Sequence, residues 1–116
     1  MKYRIAVGTK DDVNVTEHFG QCGRFLLIDV DQEKDEITVA GERFTPCSSR
    51  CGEHREQQIR DKIDALGDCR IILVKQLGGW SEKQLNHRGL IGLQYQGAVD
   101  EALKRIRHAY RKHKFG

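Results

Sequence analysis

RIILV, residues 70–74, places four consecutive aliphatic residues between Asp68 and the glycine pair at 78–79. A short apolar run without polar alternation is typical of a strand that is buried on both faces in a parallel sheet. The run therefore predicts a central strand in an α/β sheet, with helices packed on the two faces.

Helical patterns flank this strand on both sides. The first starts at about residue 53, and its apolar residues recur at helical spacing: Ile59, Ile63 and Leu66. Gly67 follows at the position expected of a helix C-cap. A capping box at Ser81 predicts a second, short helix that ends at Gly89. A long final helix presents one apolar face, formed by Ala98, Val99, Ala102, Leu103, Ile106, Ala109 and Tyr110.

The remaining strands are predicted from alternating or strand-forming residues at 3–8, 25–30, 37–39 and 90–95, with a polar loop from Thr9 to about Gly23. The second and third of these strands form a β-hairpin. The predicted element order is βββαβαβα, an α/β fold with a five-stranded mixed sheet, helices on its faces and right-handed crossovers.

The composition is that of one soluble globular domain, residues 1–116. Of these 116 residues, 38% are hydrophobic and 32% are charged, and a chain of this length can bury a sizeable core but leaves no room for a second domain. We expect neither a signal peptide nor a membrane helix, because the aliphatic runs are short and the charged residues Asp11 and Asp12 follow after only a short apolar stretch. Four cysteines without a secretory signal predict a reducing compartment, the cytoplasm, where thiols serve in metal binding or catalysis.

The net charge of +3 conceals a basic C-terminal helix end and tail, at about residues 104–116. Its cations are Lys104, Arg105, Arg107, Arg111, Lys112 and Lys114. Such a cluster can contact nucleic acid, but cations are also stabilised at a helix C-terminus by the helix dipole. We favour a solvated helix end and expect no nucleic-acid partner.

Three segments are expected to meet at the carboxyl ends of the parallel strands, where sheets of this kind bind ligands. They are the loop with His18 and Cys22, the segment 47–54, and residues 76–80. The second segment has the spacing Cys-x3-Cys-x2-His, whose thiols and imidazole suit zinc, copper or iron–sulfur species. The candidate metal ligands are His18, Cys47, Cys51 and His54.

Further residues are expected to contact a bound cofactor. Arg24 adjoins Cys22, so its charge would lower the thiol pKa and offset the charge of an anionic cluster. Gly78 and Gly79 allow two interpretations: the backbone approaches the cargo while the next helix points its N-terminus at it, or the glycines only make the turn into that helix. The candidate cofactor-binding residues are His18, Cys22, Arg24, Gly78 and Gly79.

Simpler interpretations exist for the same residues. Cys47, Cys51 and His54 would, with one more ligand, close a structural zinc site, or they are ordinary polar residues. Cys69 lies in an apolar context and is expected to be a small buried side chain. The other histidines are expected at the surface: His87, His108 and His113.

Nuclease activity would require clustered carboxylates that hold catalytic metal ions. The first predicted strand contains no acidic residue, and Asp29, Asp31 and Asp35 surround a hairpin end. We therefore do not expect a nuclease. Thiol-based redox catalysis is disfavoured, because its cysteines are usually two residues apart and Cys47 and Cys51 are separated by three.

A family resemblance rests on motifs in a fixed order: EHFG at 17–20, CGEH at 51–54, GDCR at 67–70, LGG at 77–79 and VDEAL at 99–103. With these motifs the chain resembles the dinitrogenase iron-molybdenum cofactor biosynthesis family, which includes nitrogenase cofactor carriers and the C-terminal domain of the cofactor-synthesising radical enzyme. The resemblance implies a ribonuclease H-like fold that binds iron–sulfur or molybdenum-containing clusters. It also implies that His18 is a cluster ligand and that the cysteines are further candidates.

The chain departs from the family pattern in two places. Residues 76–80 lack the fuller glycine pattern of the family's loop and add the bulk of Trp80, and the Cys47/Cys51 pair is not universal. Both features bring the chain nearer to the domain that is appended to the synthase.

Two functional hypotheses follow. The first is a non-catalytic carrier of an iron–sulfur or iron–molybdenum type cluster or precursor, whose partners are assembly proteins that act as cluster donor and acceptor. The second is a small zinc-stabilised interaction domain whose basic tail contacts an acidic partner. The sequence predicts no oligomeric state.

Overall fold

The computed structural model describes residues 2–45 and 55–113. In this part of the chain there are seven strands: β1 Lys2–Gly8, β2 Asn14–Val15, β3 Arg24–Asp31, β4 Glu36–Phe44, β5 Ile71–Val74, β6 Ile91–Gln94 and β7 Gly97–Ala98. The helices of the same part are α1 Arg55–Ala65, α2 Gly79–His87 and α3 Val99–His113, and a 3-10 turn covers Phe19–Gln21.

Five of the strands form one mixed sheet in the order β4-β3-β1-β5-β6. β1 pairs in parallel with β5, and β5 with β6, whereas β3 is antiparallel to both β1 and β4. The predicted five-stranded mixed α/β sheet is thus confirmed. The strands β2 and β7 pair with each other in a small second sheet that the sequence did not predict, and the ribonuclease H-like classification stays a prediction.

Strand β5 is the apolar run from which the fold was predicted, and all four of its residues are buried. Ile71 and Leu73 belong to the core on the α3 side of the sheet, and Ile72 and Val74 to the core on the α1 and α2 side. Side chains alternate across a strand, so a strand with helices on both faces must be apolar throughout. The interior position predicted for residues 70–74 is therefore confirmed.

Helix α3 covers one face of the sheet with the apolar stripe that its periodicity predicts. Val99, Leu103 and Ile106 are buried in that core, and the rings of Tyr3 and Tyr110 stack with centroids 4.0 Å apart. At the basic end of the helix, Lys104 and His108 are exposed, whereas Arg107 forms an ion pair with Asp35 at 2.8 Å.

Helix α2 begins earlier than its sequence predicts. A start at Ser81 is wrong, because the helix begins at Gly79 and the Gly78 carbonyl accepts the first helical hydrogen bond, from the amide of Glu82 at 3.0 Å. Ser81 is therefore a buried residue of the first turn rather than a cap. The predicted end is confirmed, since Gly89 has a φ of +78°, which favours glycine.

Candidate functional site

The loop after β1 returns to the carboxyl end of β5 and pairs with it. The amide of Lys75 donates to the Glu17 carbonyl, and the amide of Phe19 donates to the Gln76 carbonyl, both at 2.9 Å. These bonds form a parallel bridge between His18 and Gln76. The structure therefore brings the His-Phe-Gly element and residues 76–80 to the same edge of the sheet, as the sequence predicted.

His18 is exposed, whereas the next residue, Phe19, is only 1% exposed. His18 has an extended backbone, with φ −78° and ψ 139°, and immediately precedes the 3-10 turn Phe19–Gln21. Phe19 packs near Phe25 in the core, with ring centroids 6.2 Å apart. The imidazole is thus carried at the surface by a backbone whose neighbouring side chain is anchored inside.

Lys62 of α1 is a residue of this site for which the sequence analysis proposed no role. Its side chain is 1% exposed, and Nζ donates to the carbonyls of Phe19 at 2.9 Å, Gly20 at 3.4 Å and Cys22 at 2.5 Å. Nζ also lies 5.6 Å from the centroid of the Phe19 ring. A signal existed in the sequence, because Lys62 lies three residues after Ile59, within the apolar stripe of the helix.

Cys22, a predicted cofactor ligand, lies in the interior. Its side chain is fully buried in the core cluster that includes Phe19 and Phe25, and its thiol donates to the Arg24 carbonyl at 2.9 Å. The 3-10 turn directs the chain inward at this position, whereas sequence proximity to His18 suggested a place at the exposed edge. A ligand role for Cys22 stays a prediction and requires this turn to open.

Arg24 uses its guanidinium group for carboxylates rather than for the Cys22 thiol. It pairs with Asp12 at 2.8 Å and with Glu42 at 2.5 Å, and it donates to the Thr9 carbonyl at 3.1 Å. The hydrogen bonds to Asp12 and Glu42 raise the pKa of Arg24. Its described contacts therefore fasten the loop after β1 to the β-hairpin, and a role toward a cofactor stays a prediction.

Gly78 and Gly79 are exposed, and a Cβ atom added to either would meet open space. Gly78 has φ −70° and ψ 153°, and neither glycine has a positive φ. Other residues adopt such backbone conformations without strain, so making the turn into α2 does not by itself require glycine here. Close approach of an external group to this pair stays a prediction.

Next to this bridge lies a shallow polar depression of about 400 Å³. Its lining consists of Lys75, Gln76, Gln94, Tyr95 and Gln96. The Gln94 side-chain oxygen accepts the Leu77 amide at 2.8 Å, which ties β6 to the segment leading into α2. Positive groups at this edge are the ammonium of Lys75 and the backbone amides at the start of α2, while Glu17 and Glu82 are acidic residues of the same segments.

Cys47, Cys51 and His54 lie outside the described residues. In residues 2–45 and 55–113, no three His, Cys, Asp or Glu side chains are grouped so that they could hold a metal ion. His87 and His108 are exposed and Cys69 is buried, as predicted. Among the described residues, His18 is therefore the predicted metal ligand that is exposed at this edge of the sheet.

None of the helices described is long and apolar enough to cross a membrane.

Comparison with known proteins relates the whole domain to one family. The family model of the dinitrogenase iron-molybdenum cofactor matches residues 1–109. The FeMo cofactor biosynthesis protein NifB of Chlorobaculum tepidum is 30% identical over 99 residues, which cover 85% of this chain and 22% of NifB. Protein NifX of Sinorhizobium fredii is 30% identical over 79 residues, covering 66% of this chain and 49% of NifX. The chain thus spans about a fifth of the NifB relative and about half of NifX.

A solved structure supports the fold independently. The apo form of the orange protein from Desulfovibrio gigas superposes with a TM-score of 0.62 at 18% identity, covering 92% of this chain and 88% of that protein. At this identity the likeness concerns the fold alone.

Proposed function

This chain belongs to the dinitrogenase iron-molybdenum cofactor family, and from that premise we propose that it binds and carries an iron–sulfur or iron–molybdenum type cluster or precursor during metallocofactor assembly. The proposal is supported by the relative NifB, whose name describes a FeMo cofactor biosynthesis protein. The partners we propose are assembly proteins that deliver the cluster and accept it. The proposed location is the cytoplasm, where a thiol such as that of Cys69 stays reduced.

The exposed His18 carries this proposal. It lies at the carboxyl end of β5, on a backbone held by the bridge to Gln76 and by the buried Phe19. Imidazole nitrogen is a ligand for iron and related transition metals. An anchored backbone with an exposed imidazole presents one ligand to a preformed cluster without enclosing it.

The surroundings of His18 suit an anionic cargo. The depression beside it contains Lys75, and Gly78 and Gly79 leave open space before the first turn of α2. Backbone amides at a helix N-terminus and nearby cations stabilise bound negative charge. These groups would offset the charge of a cluster without adding coordinate bonds, so the cluster could leave for an acceptor.

Cys47, Cys51 and His54 are proposed as further ligands on the basis of their spacing in the sequence. They directly precede α1, which contacts the His18 loop through Lys62. Together with His18 they make four candidate ligands, the number that a closed structural zinc site also needs, so metal content rather than ligand number separates the two functions. The role we propose is transport of the cluster without chemical turnover.

The deciding experiment compares three proteins after anaerobic reconstitution with ferrous iron and sulfide. We expect the wild type and His87→Ala to bind iron and to develop visible absorption, and His18→Ala to retain several-fold less iron after desalting. His87 is the matched control, because it is also an exposed histidine of the same domain. Circular dichroism establishes that the variants are equally folded.

Two results would count against the proposal. Equal iron retention by His18→Ala and the wild type would remove His18 from the site. A protein isolated with stoichiometric, colourless zinc that refuses iron would favour the structural zinc alternative, for which the described residues provide no three-ligand group.

A further inference from the structure

We propose that Lys62 is a positioning residue whose buried ammonium group holds the turn after His18 in the conformation that binds the cluster. The contacts between Lys62 and the turn do not depend on a bound cluster, whereas the effect of Lys62 on cluster binding rests on the proposed function. Lys62 is not a candidate ligand, because an ammonium group has no lone pair to offer a metal.

The ammonium of Lys62 is surrounded by the carbonyl groups of one short stretch of backbone. Within four residues, the carbonyls of Phe19, Gly20 and Cys22 accept from Nζ. Within the 3-10 turn, the Phe19 carbonyl accepts from the Cys22 amide at 3.3 Å. Lys62 adds a charged donor to this carbonyl and also binds the carbonyls of Gly20 and Cys22, near and beyond the end of the turn. Lys62 therefore acts toward this turn as a C-terminal cation does toward a helix.

Burying an ammonium group is costly, so its place in the core requires compensation. Charge-assisted hydrogen bonds to several carbonyl dipoles contribute to it, as does the ring of Phe19 at 5.6 Å. Conversely, without Lys62 the carbonyl of Phe19 and its neighbours would lose their charged donor in a buried place. An apolar residue at position 62 would match the helix stripe but leave this turn without that donor.

Two other contacts hold the ends of the same stretch. The Phe19 amide is bound to Gln76, and the Cys22 carbonyl also accepts from the Thr45 hydroxyl at 3.1 Å. Between these two ends, Lys62 binds the backbone carbonyls of the turn. Because His18 directly precedes the turn, loosening the turn widens the range of positions that the imidazole samples and weakens its contribution to binding.

The first test measures the apo protein by amide hydrogen exchange, so it requires no cluster. In Lys62→Met, which keeps the length but removes the charge, we expect the amides of Phe19 and Cys22 to exchange on the order of tenfold faster relative to those of Ala6 and Ile72. Lys62→Arg should recover part of this protection. The control is Lys104→Met, the same substitution at an exposed position of α3. Uniform acceleration across the sheet, or none at all, would overturn the proposal.

The second test repeats iron–sulfur reconstitution with the same variants at a temperature where all are folded. We expect Lys62→Met to retain several-fold less iron than Lys104→Met, and Lys62→Arg to lie between them. A loosened turn with undiminished iron retention would refute the link between the turn and binding. If the wild type took up no iron, the proposed function would fail, while the exchange data would still decide the role of Lys62 in the turn.

A measurement on the wild type covers the case in which Lys62→Met does not fold. Reductive methylation of the native protein, mapped by mass spectrometry, should modify Lys62 at least about tenfold more slowly than Lys104, because opening of the turn must precede reaction. Equal rates would show that the ammonium group is not held by the carbonyls of the turn, which would overturn the proposal.

Discussion

The two described cysteines show how a residue's surroundings decide its chemistry. Burial, followed by the charge of Asp68, raises the pKa of the Cys69 thiol to about 12. Cys22 is fully buried and donates its proton to a backbone carbonyl. A thiolate is the form that binds metals, and the surroundings of Cys69 favour the thiol. The exposed imidazole of His18 is thus the more accessible ligand of the described residues.

The raised pKa of Cys69 predicts that its thiol reacts slowly in the native protein and that stability depends on pH. At about pH 9, near the ordinary pKa of a cysteine, we expect iodoacetamide to alkylate Cys69 far more slowly in the native protein than in urea. The unfolded chain releases this proton at lower pH than the folded one, so stability should fall as the pH rises from about 9 toward 12. Peptide mapping after timed alkylation provides the check, and equal native and denatured rates would contradict it.

At the scale of elements, an ion-pair network joins the sheet at the end opposite His18. Arg4 of β1 binds Asp29 of β3 and Asp68 of the α1–β5 connection, each at 2.7 Å. Arg43 of β4 also pairs with Asp68, and it donates to the Ala65 carbonyl at 2.9 Å. The hydrogen bonds from Arg43 and Arg4 hold the pKa of Asp68 well below its usual range. Asp68 therefore connects α1 and β5 to the antiparallel strands.

We expect Asp68→Asn to destabilise the protein at neutral pH by about 1 kcal/mol, a modest value because the network is partly exposed. A lowered pKa stabilises the fold above the unfolded value of about 4, and this contribution is lost as the pH falls through the folded value. Urea unfolding between pH 7 and pH 3 should thus show that the free energy of unfolding falls less with decreasing pH in Asp68→Asn than in the wild type. Asp100→Asn, at an exposed position of α3, is the control. Identical pH profiles for all three proteins would refute the role of Asp68.

At the scale of the whole molecule, the sheet separates two cores with different tasks. The core under α3 contains Ile106 and the stacked tyrosines Tyr3 and Tyr110. The other core contains Phe19 and lies with α1 and α2, so it supports the His18 loop. A change in the first core should therefore affect global stability more than the geometry of the proposed site.

Ile106→Ala tests this separation. Removing most of a side chain that is 4% exposed should lower the free energy of unfolding by about 2–5 kcal/mol. His108→Ala, at an exposed position of the same helix, should change it by about 0.5 kcal/mol or less. Under conditions where Ile106→Ala is folded, its iron retention should equal that of the wild type, as chemical unfolding and reconstitution together would show. Stability unchanged by Ile106→Ala would refute the assignment of Ile106 to this core.

The sequence alone predicted the α/β class, the mixed sheet, the buried β5 and the apolar face of α3. These features follow from the spacing of apolar residues along the chain, which is a local property. Spacing also led to His18 and to its meeting with residues 76–80, because carboxyl ends of parallel strands share one edge. The motif EHFG indicated the family, which the match over residues 1–109 confirmed.

Only the tertiary structure decided which polar groups the site uses. Cys22 lies inside, Arg24 pairs with Asp12 and Glu42, and Lys62 holds the turn after His18. Each outcome depends on atoms that are distant in the sequence and are brought together by packing. Periodicity places a residue on a face of its element, but the burial of a charge depends on which carbonyls or carboxylates meet it there, and that is known only once the elements have packed.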